Sequence, residues 1–392
     1  MSAANPTQVI DAVRSVIGDA PSIPLHVPDI GAAEKEFVDD CLESTFVSSV
    51  GPYVTRIEQE MAAYTGAKHA VAVSNGTVAL QVALTLAGVE PGDEVLVPAL
   101  SFIATANAVV HAGAIPHFVD SSASTLGLDV EAARAVLHTL ERRGTGLFNA
   151  TTGRRVSAIV PMHTLGHPTD IVALIALASD FGIPVVEDAA ESLGSFVQVG
   201  ERLQHTGTFG RLGIVSFNGN KIVTTGGGGM ILTDDDELGR RAKHLTTTAK
   251  LPHAWEFEHD ETAWNFRMPN INAALGVAQL TKLDSYLDRK RRLAQAYAQA
   301  FADIEGVTFL FEPSGTRSNY WLSAIAVDGG LDARNAVLQA AVDSGLQARP
   351  FWNLLNEQRM YRHHPAADLT VAHELHASVV CLPSSPALMG VN

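Results

Sequence analysis

Between residue 66 and about residue 250, short apolar runs alternate with stretches of helical character, and this rhythm constrains the fold more than any other feature of the sequence. The apolar runs predict strands at 70–73, 94–97, 115–119, 157–160, 183–187, 214–217 and 229–232. The stretches between them predict helices at 77–88, 103–112, 129–139, 169–181 and 234–247. Short strands separated by helices indicate βαβ units around a mainly parallel sheet that is covered on both faces. The predicted fold class is therefore α/β.

Beyond residue 250 the pattern changes, so a second and smaller domain is expected. A long helical stretch is followed by two short strands and two more helices, at 270–303, 307–311, 321–327, 331–343 and 367–377. This mixture favours an α+β domain built on a connecting helix. Residues 1–21 predict one further helix. We divide the chain into three parts, namely an N-terminal extension (1–24), a large α/β domain (25–250) and a small C-terminal α+β domain (251–392).

The charge balance and the cysteines exclude several classes of protein. The 392 residues include 27 Lys and Arg against 42 Asp and Glu, and the formal charge of −15 disfavours sequence-independent binding to nucleic acid or anionic lipid. The two cysteines, Cys41 and Cys381, provide neither metal-ligand spacing nor a disulfide framework. The sequence shows no signal segment and no uninterrupted membrane-spanning run, so a cytoplasmic location is expected.

Several familiar catalytic motifs are missing from the sequence. It contains no G-x-G-x-x-G, no G-x-x-x-x-G-K-[ST] and no G-x-S-x-G. His373 and His376 lack the H-E-x-x-H spacing that places two imidazoles on one helical face. No metal site is predicted.

Two polar clusters follow predicted strands, where open α/β sheets form their ligand clefts. Residues 73–77 end a strand in small and polar residues before an apolar helix, so backbone N–H groups and the Thr77 hydroxyl are expected at a helix N-terminus, an arrangement that binds phosphate. At the end of another predicted strand, three carboxylates fall within five positions: Glu187, Asp188 and Glu191. Such crowding favours a cationic ligand nearby.

Two further strand ends carry a lysine and an aromatic ring. Lys221 lies between the apolar strand 214–217 and the glycine run 226–229, where backbones are expected to pass close together. Phe102 follows the strand at 94–97, and its ring could cover a planar group. A phosphate site, a carboxylate for a ring nitrogen, an aromatic cover and an imine-forming lysine are together what pyridoxal 5′-phosphate (PLP) requires. The residues therefore predict a PLP site.

The order of five motifs extends this interpretation from a cofactor to a family. GTVAL at 76–80, EDAAE at 187–191, SFNGNK at 216–221, TTGGGGM at 224–230 and NFRMPNINAALG at 265–276 follow one another in the chain. This combination resembles the DegT/DnrJ/StrS family of nucleotide-sugar aminotransferases, from about residue 25 to near the end. The resemblance implies the PLP-dependent transferase type I fold, which is the fold of aspartate aminotransferase, and a homodimer with shared active sites.

The resemblance also implies roles for individual residues. Lys221, Asp188 and Glu191 are the expected catalytic residues: Lys221 forms the imine with the cofactor, Asp188 pairs with the pyridinium nitrogen, and Glu191 lies near the ring oxygen or the imine. Phe102 is expected to stack on the cofactor ring. Gly76, Thr77 and Ser216 are expected to bind the cofactor phosphate, and Asn265 is expected to reach the phosphate from the second subunit. The residues expected around the substrate mouth are Ser49, Gly51, Tyr53, His253, Arg349 and Trp352.

Two positions depart from the common family pattern. Glu191 stands where many members have Gln or His, and Trp264 stands where many have Tyr. The wording SFNGNKIVTTGGGGM is similar to the LegC-like branch, which aminates carbon 4 of UDP-linked 2-acetamido-4-keto-6-deoxy sugars. A similar stretch occurs in GDP-perosamine synthases.

The leading hypothesis is a transaminase that takes an amino group from L-glutamate and delivers it, by ping-pong chemistry, to the C4 ketone of a nucleotide-linked 4-keto-6-deoxyhexose. The expected sugar is UDP-2-acetamido-2,6-dideoxy-hexos-4-ulose, and a GDP- or dTDP-linked sugar is the first alternative. A PLP-dependent sugar dehydratase is a second alternative, although that class replaces the lysine with His. A non-catalytic nucleotide-sugar binding protein is a third, since a fold alone does not determine function.

Overall fold

A computed structural model describes residues 4–390 of the chain. In this range there are twelve α-helices: α1 (Pro6–Ile17), α2 (Ala32–Glu43), α3 (Pro52–Thr65), α4 (Gly76–Leu86), α5 (Ile103–His111), α6 (Val130–His138), α7 (Ile171–Phe181), α8 (Asp236–Thr246), α9 (Asn270–Leu280), α10 (Leu283–Phe301), α11 (Gly330–Asp343) and α12 (Thr370–Ser378). The same range contains sixteen strands: β1 (His69–Val73), β2 (Glu94–Pro98), β3 (Ile115–Val119), β4 (Leu140–Arg143), β5 (Gly146–Asn149), β6 (Arg155–Ile159), β7 (Val186–Asp188), β8 (Phe196–Val199), β9 (Arg202–His205), β10 (Leu212–Ser216), β11 (Gly229–Thr233), β12 (Val307–Phe309), β13 (Thr316–Arg317), β14 (Ala324–Val327), β15 (Arg349–Pro350) and β16 (Val379–Cys381).

Most strands of the alternating half of the sequence form two sheets that meet edge to edge, while β8 and β9 pair with β13 in a separate three-stranded sheet. One has the strand order β1-β11-β10-β7 and the other β3-β2-β6-β5-β4. Parallel bridges from Ile159 to Val185 and from Met162 to Asp188 connect β6 to β7, so the two sheets are continuous. β11 runs antiparallel to both of its neighbours, and the β4–β5 hairpin is also antiparallel. The sheet is therefore mixed. The central strands β10, β7, β6, β2 and β3 are parallel as expected, whereas the outer strands β1, β11, β4 and β5 pair antiparallel.

The large sheet is buried because helices pack against it on both sides. Every residue of β2, β10 and β11 is buried, which explains why these strands read as continuous apolar runs rather than as alternating patterns. α4 contacts β10 and β11 from one side, and its apolar residues join the largest core cluster. The carboxyl ends of the parallel strands therefore lie together at one edge of a well-packed sheet.

The last third of the chain surrounds a second, four-stranded sheet of order β12-β14-β16-β15, in which every pair is antiparallel. α1 packs on α10 and α11, so the N-terminal helix belongs to the same core cluster as this sheet. The domain boundaries at residues 24 and 250 remain predictions. No helix among residues 4–390 is both long enough and apolar enough to span a membrane.

The long helix expected at 270–303 is two helices in the structure. α9 ends at Leu280, a turn at Thr281 and Lys282 follows, and α10 begins at Leu283. Lys282 pairs with Glu34 of α2 and donates a hydrogen bond to the carbonyl of Asp29, which holds the turn against the N-terminal part of the chain. The break lets α9 pack on α2 and α3 while α10 packs on α1.

Candidate active site

A cavity of about 600 Å³ lies at the carboxyl ends of β1, β7 and β10. This is the edge of the sheet at which the sequence predicts a ligand cleft. Nine of the predicted site residues line the cavity: Gly76, Thr77, Phe102, Asp188, Glu191, Ser216, Lys221, Arg349 and Trp352. The fold therefore collects residues that are separated by as many as 276 positions in the sequence.

Lys221 is the amine of this cavity. It follows β10 in a turn in which its N–H donates to the carbonyl of Asn218, and the residue is buried. Its Nζ lies 3.2 Å from Oε1 of Glu191. The glycine run that follows lets the backbones approach, because a Cβ on Gly229 would lie 2.6 Å from the carbonyl carbon of Asn75. Lys221 thus lines the cavity in the stretch between β10 and β11, and the end of this stretch packs against the residue before α4.

Asp188 ends β7 and is a buried carboxyl facing the cavity. Its Oδ2 accepts a hydrogen bond from the Thr105 hydroxyl at 2.8 Å, and its Oδ1 accepts one from the N–H of Ala190 at 3.2 Å. Burial nevertheless raises the pKa of Asp188 above its ordinary range. A cationic group in the cavity would stabilise the ionised carboxylate, and a protonated ring nitrogen is such a group.

Glu191 is the second carboxyl in the cavity, and it is buried where water cannot solvate its charge. Oε2 accepts a hydrogen bond from the N–H of Leu165 at 2.9 Å, while Oε1 faces Lys221. Burial raises the pKa of Glu191 to about 7, and the opposing attraction of Lys221 only partly offsets this effect. Glu191 can therefore exchange a proton near neutral pH.

Glu187, the first of the three clustered carboxylates, has a different use. Its Oε2 accepts hydrogen bonds from His163 and from the N–H of Gly207, and its Oε1 accepts from the N–H groups of Phe209 and Gly210. These contacts fix the loop that leads into β10. The crowding seen in the sequence therefore divides into one structural carboxylate and two that face the cavity.

The N-terminus of α4 offers a site for an anion. The helix begins at Gly76, so the N–H groups of Gly76 and Thr77 lie in the first turn, where a helix has no internal acceptors. The side chain of Ser216 lies beside them, because a Cβ on Gly76 would come within 3.0 Å of the Ser216 Cβ. Backbone N–H groups, two hydroxyls and the helix dipole meet at this point, and together they suit a phosphate.

The mouth of the cavity is aromatic and carries one guanidinium. Phe102 is half exposed and its ring centroid is 6.5 Å from that of Trp352. Arg349 in β15 contributes to the lining, and its Nη1 donates a hydrogen bond to its neighbour, the carbonyl of Ala348. The ring of Phe102 is thus available to a planar ligand, and most donors of Arg349 are available to an anion.

Five predicted site residues lie outside the lining of this cavity. Asn265 is exposed, and its side chain accepts a hydrogen bond from Arg267 at 2.9 Å. The others lie in two segments, one leading into α3 and one at 250–259: Ser49, Gly51 and Tyr53, and His253. Tyr53 donates its hydroxyl to Asp40, and the His253 ring packs edge-on against Trp255. The roles of these five residues stay predictions.

Two residues that shape the site are not among those predicted from the sequence. Thr105 supplies the hydroxyl to Asp188, and Trp321 places its ring 4.0 Å from Nζ of Lys221. A Thr in the first turn of a largely apolar helix, three residues after Phe102, was a usable signal for the first. Trp321 comes from the far side of the chain, in a segment that the pattern predicts as the start of a strand, so no local signal indicated it.

The comparisons with known proteins agree with this geometry. The family model described as the DegT/DnrJ/EryC1/StrS aminotransferase family matches residues 28–391. The chain is 34% identical over 370 residues to the GDP-perosamine synthase of Escherichia coli O157:H7, an alignment that covers 93% of this chain and 94% of the relative.

Solved structures give the same result. The aminotransferase TlmJ from Streptoalloteichus hindustanus is similar with a TM-score of 0.84 and 30% identity, over 93% of this chain and 94% of that one. Spr1654 from Streptococcus pneumoniae, solved in its PLP form, is similar with a TM-score of 0.81 and 26% identity, over 93% of each chain. The expected type I fold and the resemblance to the family are confirmed.

Proposed function

The chain belongs to the DegT/DnrJ/EryC1/StrS aminotransferase family, whose aminotransferases depend on PLP, and we propose that this sugar aminotransferase moves an amino group from L-glutamate to the C4 ketone of a nucleotide-linked 4-keto-6-deoxyhexose. One observation carries the proposal. A buried amine, two buried carboxyls and a helix N-terminus line a single cavity at the carboxyl edge of the sheet.

The residues of the cavity fit PLP. Asp188 is a buried carboxyl whose raised pKa calls for a positive partner, and the start of α4 with Ser216 suits a phosphate. We assign the phosphate to Gly76, Thr77 and Ser216, and the ring face to Phe102. When bound, PLP withdraws electrons and so lowers the cost of removing a proton from the carbon next to the reacting nitrogen.

Lys221 has the central task, because it is the amine that lies in the cavity beside the two carboxyls. In the proposed reaction its Nζ would hold the cofactor when no substrate is bound. It would move the α-proton of glutamate to the bound cofactor and, in the second half-reaction, move a proton from the cofactor to C4 of the sugar. Asp188 holds a negative charge against the ring nitrogen. Glu191, 3.2 Å from Nζ of Lys221, stabilises the amine while it is charged and exchanges protons near neutral pH.

Two residues at the mouth of the cavity suit a nucleotide-linked substrate. Arg349 is the guanidinium among the cavity-lining residues, and it suits a diphosphate or a carboxylate. Trp352 beside Phe102 gives the mouth an apolar wall. The motif wording supports a UDP-linked 2-acetamido sugar as in the LegC-like branch, and the identity to GDP-perosamine synthase supports a GDP-linked sugar as the alternative.

We further propose a homodimer in which Asn265 of one subunit completes the phosphate site of the other. The observation in favour is that Asn265 is exposed and outside the cavity of its own chain. The same segment exposes Trp255 and Phe257, with 76% and 80% of their surface accessible. Exposed aromatic side chains of this size are typical of surfaces that bind another protein.

The test is a substrate screen with purified protein. UDP-, GDP- and dTDP-linked 4-keto-6-deoxy sugars are each incubated with L-glutamate, and the products are identified by mass and NMR. An amino sugar with the new nitrogen at C4, formed together with 2-oxoglutarate and absent with Lys221→Ala, is the expected result. A product that has lost oxygen without gaining nitrogen would instead establish a dehydratase, and binding without turnover would establish a nucleotide-sugar binding protein.

A further inference from the structure

Lys221 has a second neighbour that no sequence motif indicated. The indole of Trp321 lies with its ring centroid 4.0 Å from Nζ of Lys221, while Oε1 of Glu191 lies 3.2 Å from the same nitrogen. The aromatic face and the carboxylate thus contact one amine. The negative face of an indole attracts a cation, and this attraction increases when water is excluded. Trp321 and Lys221 are both buried.

The ring of Trp321 is fixed by hydrogen bonds on every polar group that the residue has. Its Nε1 donates to the carbonyl of Asn220 at 2.7 Å, the residue just before Lys221. Its N–H donates to Oδ1 of Asn319 at 2.7 Å, and its carbonyl accepts from Nζ of Lys290 at 3.0 Å. Two other segments, at Asn220 and Lys290, together with the neighbouring Asn319, therefore determine where the indole lies.

Asn319 connects the two groups that contact the amine. Its Nδ2 donates to the backbone carbonyls of Glu191 and Leu193, at 2.8 and 2.9 Å, while its Oδ1 accepts from Trp321. Gly166, with a φ of +94°, leaves room for this amide, because a Cβ there would lie 1.9 Å from Oδ1 of Asn319. One side chain thus connects the backbone of Trp321 to the backbone of Glu191, the two residues that contact the amine.

We propose that Trp321 is a positioning residue for Lys221, whose indole face holds the lysine nitrogen against Glu191 whenever that nitrogen is positively charged. The inference rests on the proposed role of Lys221 and deepens it. Trp321 follows β13 and belongs to the last third of the chain, so this part of the chain contributes directly to the protonation of the amine. Because the indole favours the charged nitrogen, weakening its face shifts the protonation equilibrium to lower pH.

The other groups that face Lys221 do not duplicate this effect. Two carboxyls are close enough to act on it, namely Asp188 at the end of β7 and Glu191 three residues later. His26 is buried near Lys221 and Lys290, and burial together with these two cations holds the pKa of His26 well below its usual value. His26 is therefore neutral, and the indole acts on the amine beside two carboxyls.

The test uses the holoenzyme with fluorinated tryptophan. Fluorine withdraws electron density from the indole face without changing its shape appreciably. Protein is made with tryptophans of increasing fluorine content, and the visible absorption band is titrated with pH. We expect the midpoint to move stepwise to lower pH, by a total on the order of one pH unit. A midpoint that does not change along the series overturns the proposal.

The matched control is Trp321→Phe labelled in the same way, which keeps Trp255, Trp264 and Trp352. Its midpoint should not respond to fluorination, and an equal response would assign the effect to those three residues and overturn the proposal. Trp321→Leu should shift the midpoint by a similar amount, and the labelling series stands if that variant fails to fold. A visible band that persists in Lys221→Ala would overturn the proposed role of Lys221 as well. A band that requires Lys221 but does not shift on fluorination would overturn the role of Trp321 alone.

Discussion

The cavity and the segment at 250–268 were both selected from the sequence as parts of one site, yet they differ in almost every physical respect. Asp188, Glu191 and Lys221 are buried and contact residues of their own chain. Asn265 is exposed, and the nearby Trp255 presents most of its surface to solvent. Packing within the chain completes the first region, whereas the second is the part that we propose to contact a partner subunit. The difference in burial shows that residues of neighbouring motifs need not share one environment.

The largest expected effect removes the amine from the cavity. Lys221→Ala should lower turnover by at least about 10⁴-fold, because both the covalent attachment and the proton transfer depend on Nζ. The measurement is formation of 2-oxoglutarate together with the visible spectrum. Lys243→Ala, which removes an exposed lysine paired with Glu58, is the matched control and should keep wild-type turnover. Wild-type turnover in Lys221→Ala would show that the cavity does not hold the catalytic amine.

A smaller effect is expected at the buried carboxyl of the same region. Asp188→Asn should lower turnover roughly a thousandfold, because a neutral amide cannot keep a ring nitrogen protonated. Cofactor content, measured by absorbance after denaturation, should stay close to that of the wild type. Asp236→Asn removes an exposed carboxylate that pairs with Lys68, and it should not change turnover. If Asp188→Asn turns over normally, another group is the ring partner.

The third prediction tests the exposed region directly. Lys221→Ala and Asn265→Ala are coexpressed with different tags, and the mixed dimer is purified. One site then contains an intact Lys221 and receives an intact Asn265, while the other contains both defects, so the mixed dimer should recover about half of the wild-type activity. Activity no higher than the mean of the two parent dimers would show that Asn265 does not act across the interface.

The smallest expected effect concerns pH and stability. Because burial raises the pKa of Glu191 from 4.5 to about 7, the folded protein binds this proton more tightly than the unfolded chain between these values. Stability therefore falls as pH rises through that window. Glu191→Gln cannot ionise at this position, so it does not lose stability in this way. At equal cofactor content, its Tm minus the wild-type Tm should therefore increase by several degrees between about pH 5 and pH 8.

Glu237→Gln is the matched control for this measurement. Glu237 is exposed, and hydrogen bonding to Arg240 lowers its pKa below the ordinary value of 4.5, so it stays ionised across the same range. Its Tm difference from wild type should be constant. A flat difference for Glu191→Gln as well would mean that Glu191 does not bind a proton in the folded protein near neutral pH.

The sequence predicted the large sheet well because its signal is local. The apolar runs that became β2, β10 and β11 are buried on both faces, and burial of that kind leaves a continuous run that can be read without knowledge of the neighbours. The β4 and β5 hairpin was missed for the converse reason. Most residues of β4 are exposed, so its sequence carries no apolar run.

The site was predictable to the extent that strand ends converge. Asp188 and Lys221 could be placed together because parallel strands bring their carboxyl ends to one edge. Trp321 could not, since its position depends on how the last third of the chain packs against the first. The separate role of Glu187 was also hidden, because nothing in the motif tells which of three carboxylates faces inward.

The packing of α1 has a consequence for how the chain is made. Val9 lies in the same core cluster as Tyr297, so the partners of this helix leave the ribosome roughly 290 residues after the helix itself. At ordinary rates of translation this interval is about 15 to 60 s. During that time the apolar face of α1 has no native partner, while the strands of the large sheet are already emerging. The helix α1 is therefore expected to be among the last elements to dock, although it is made before its partners.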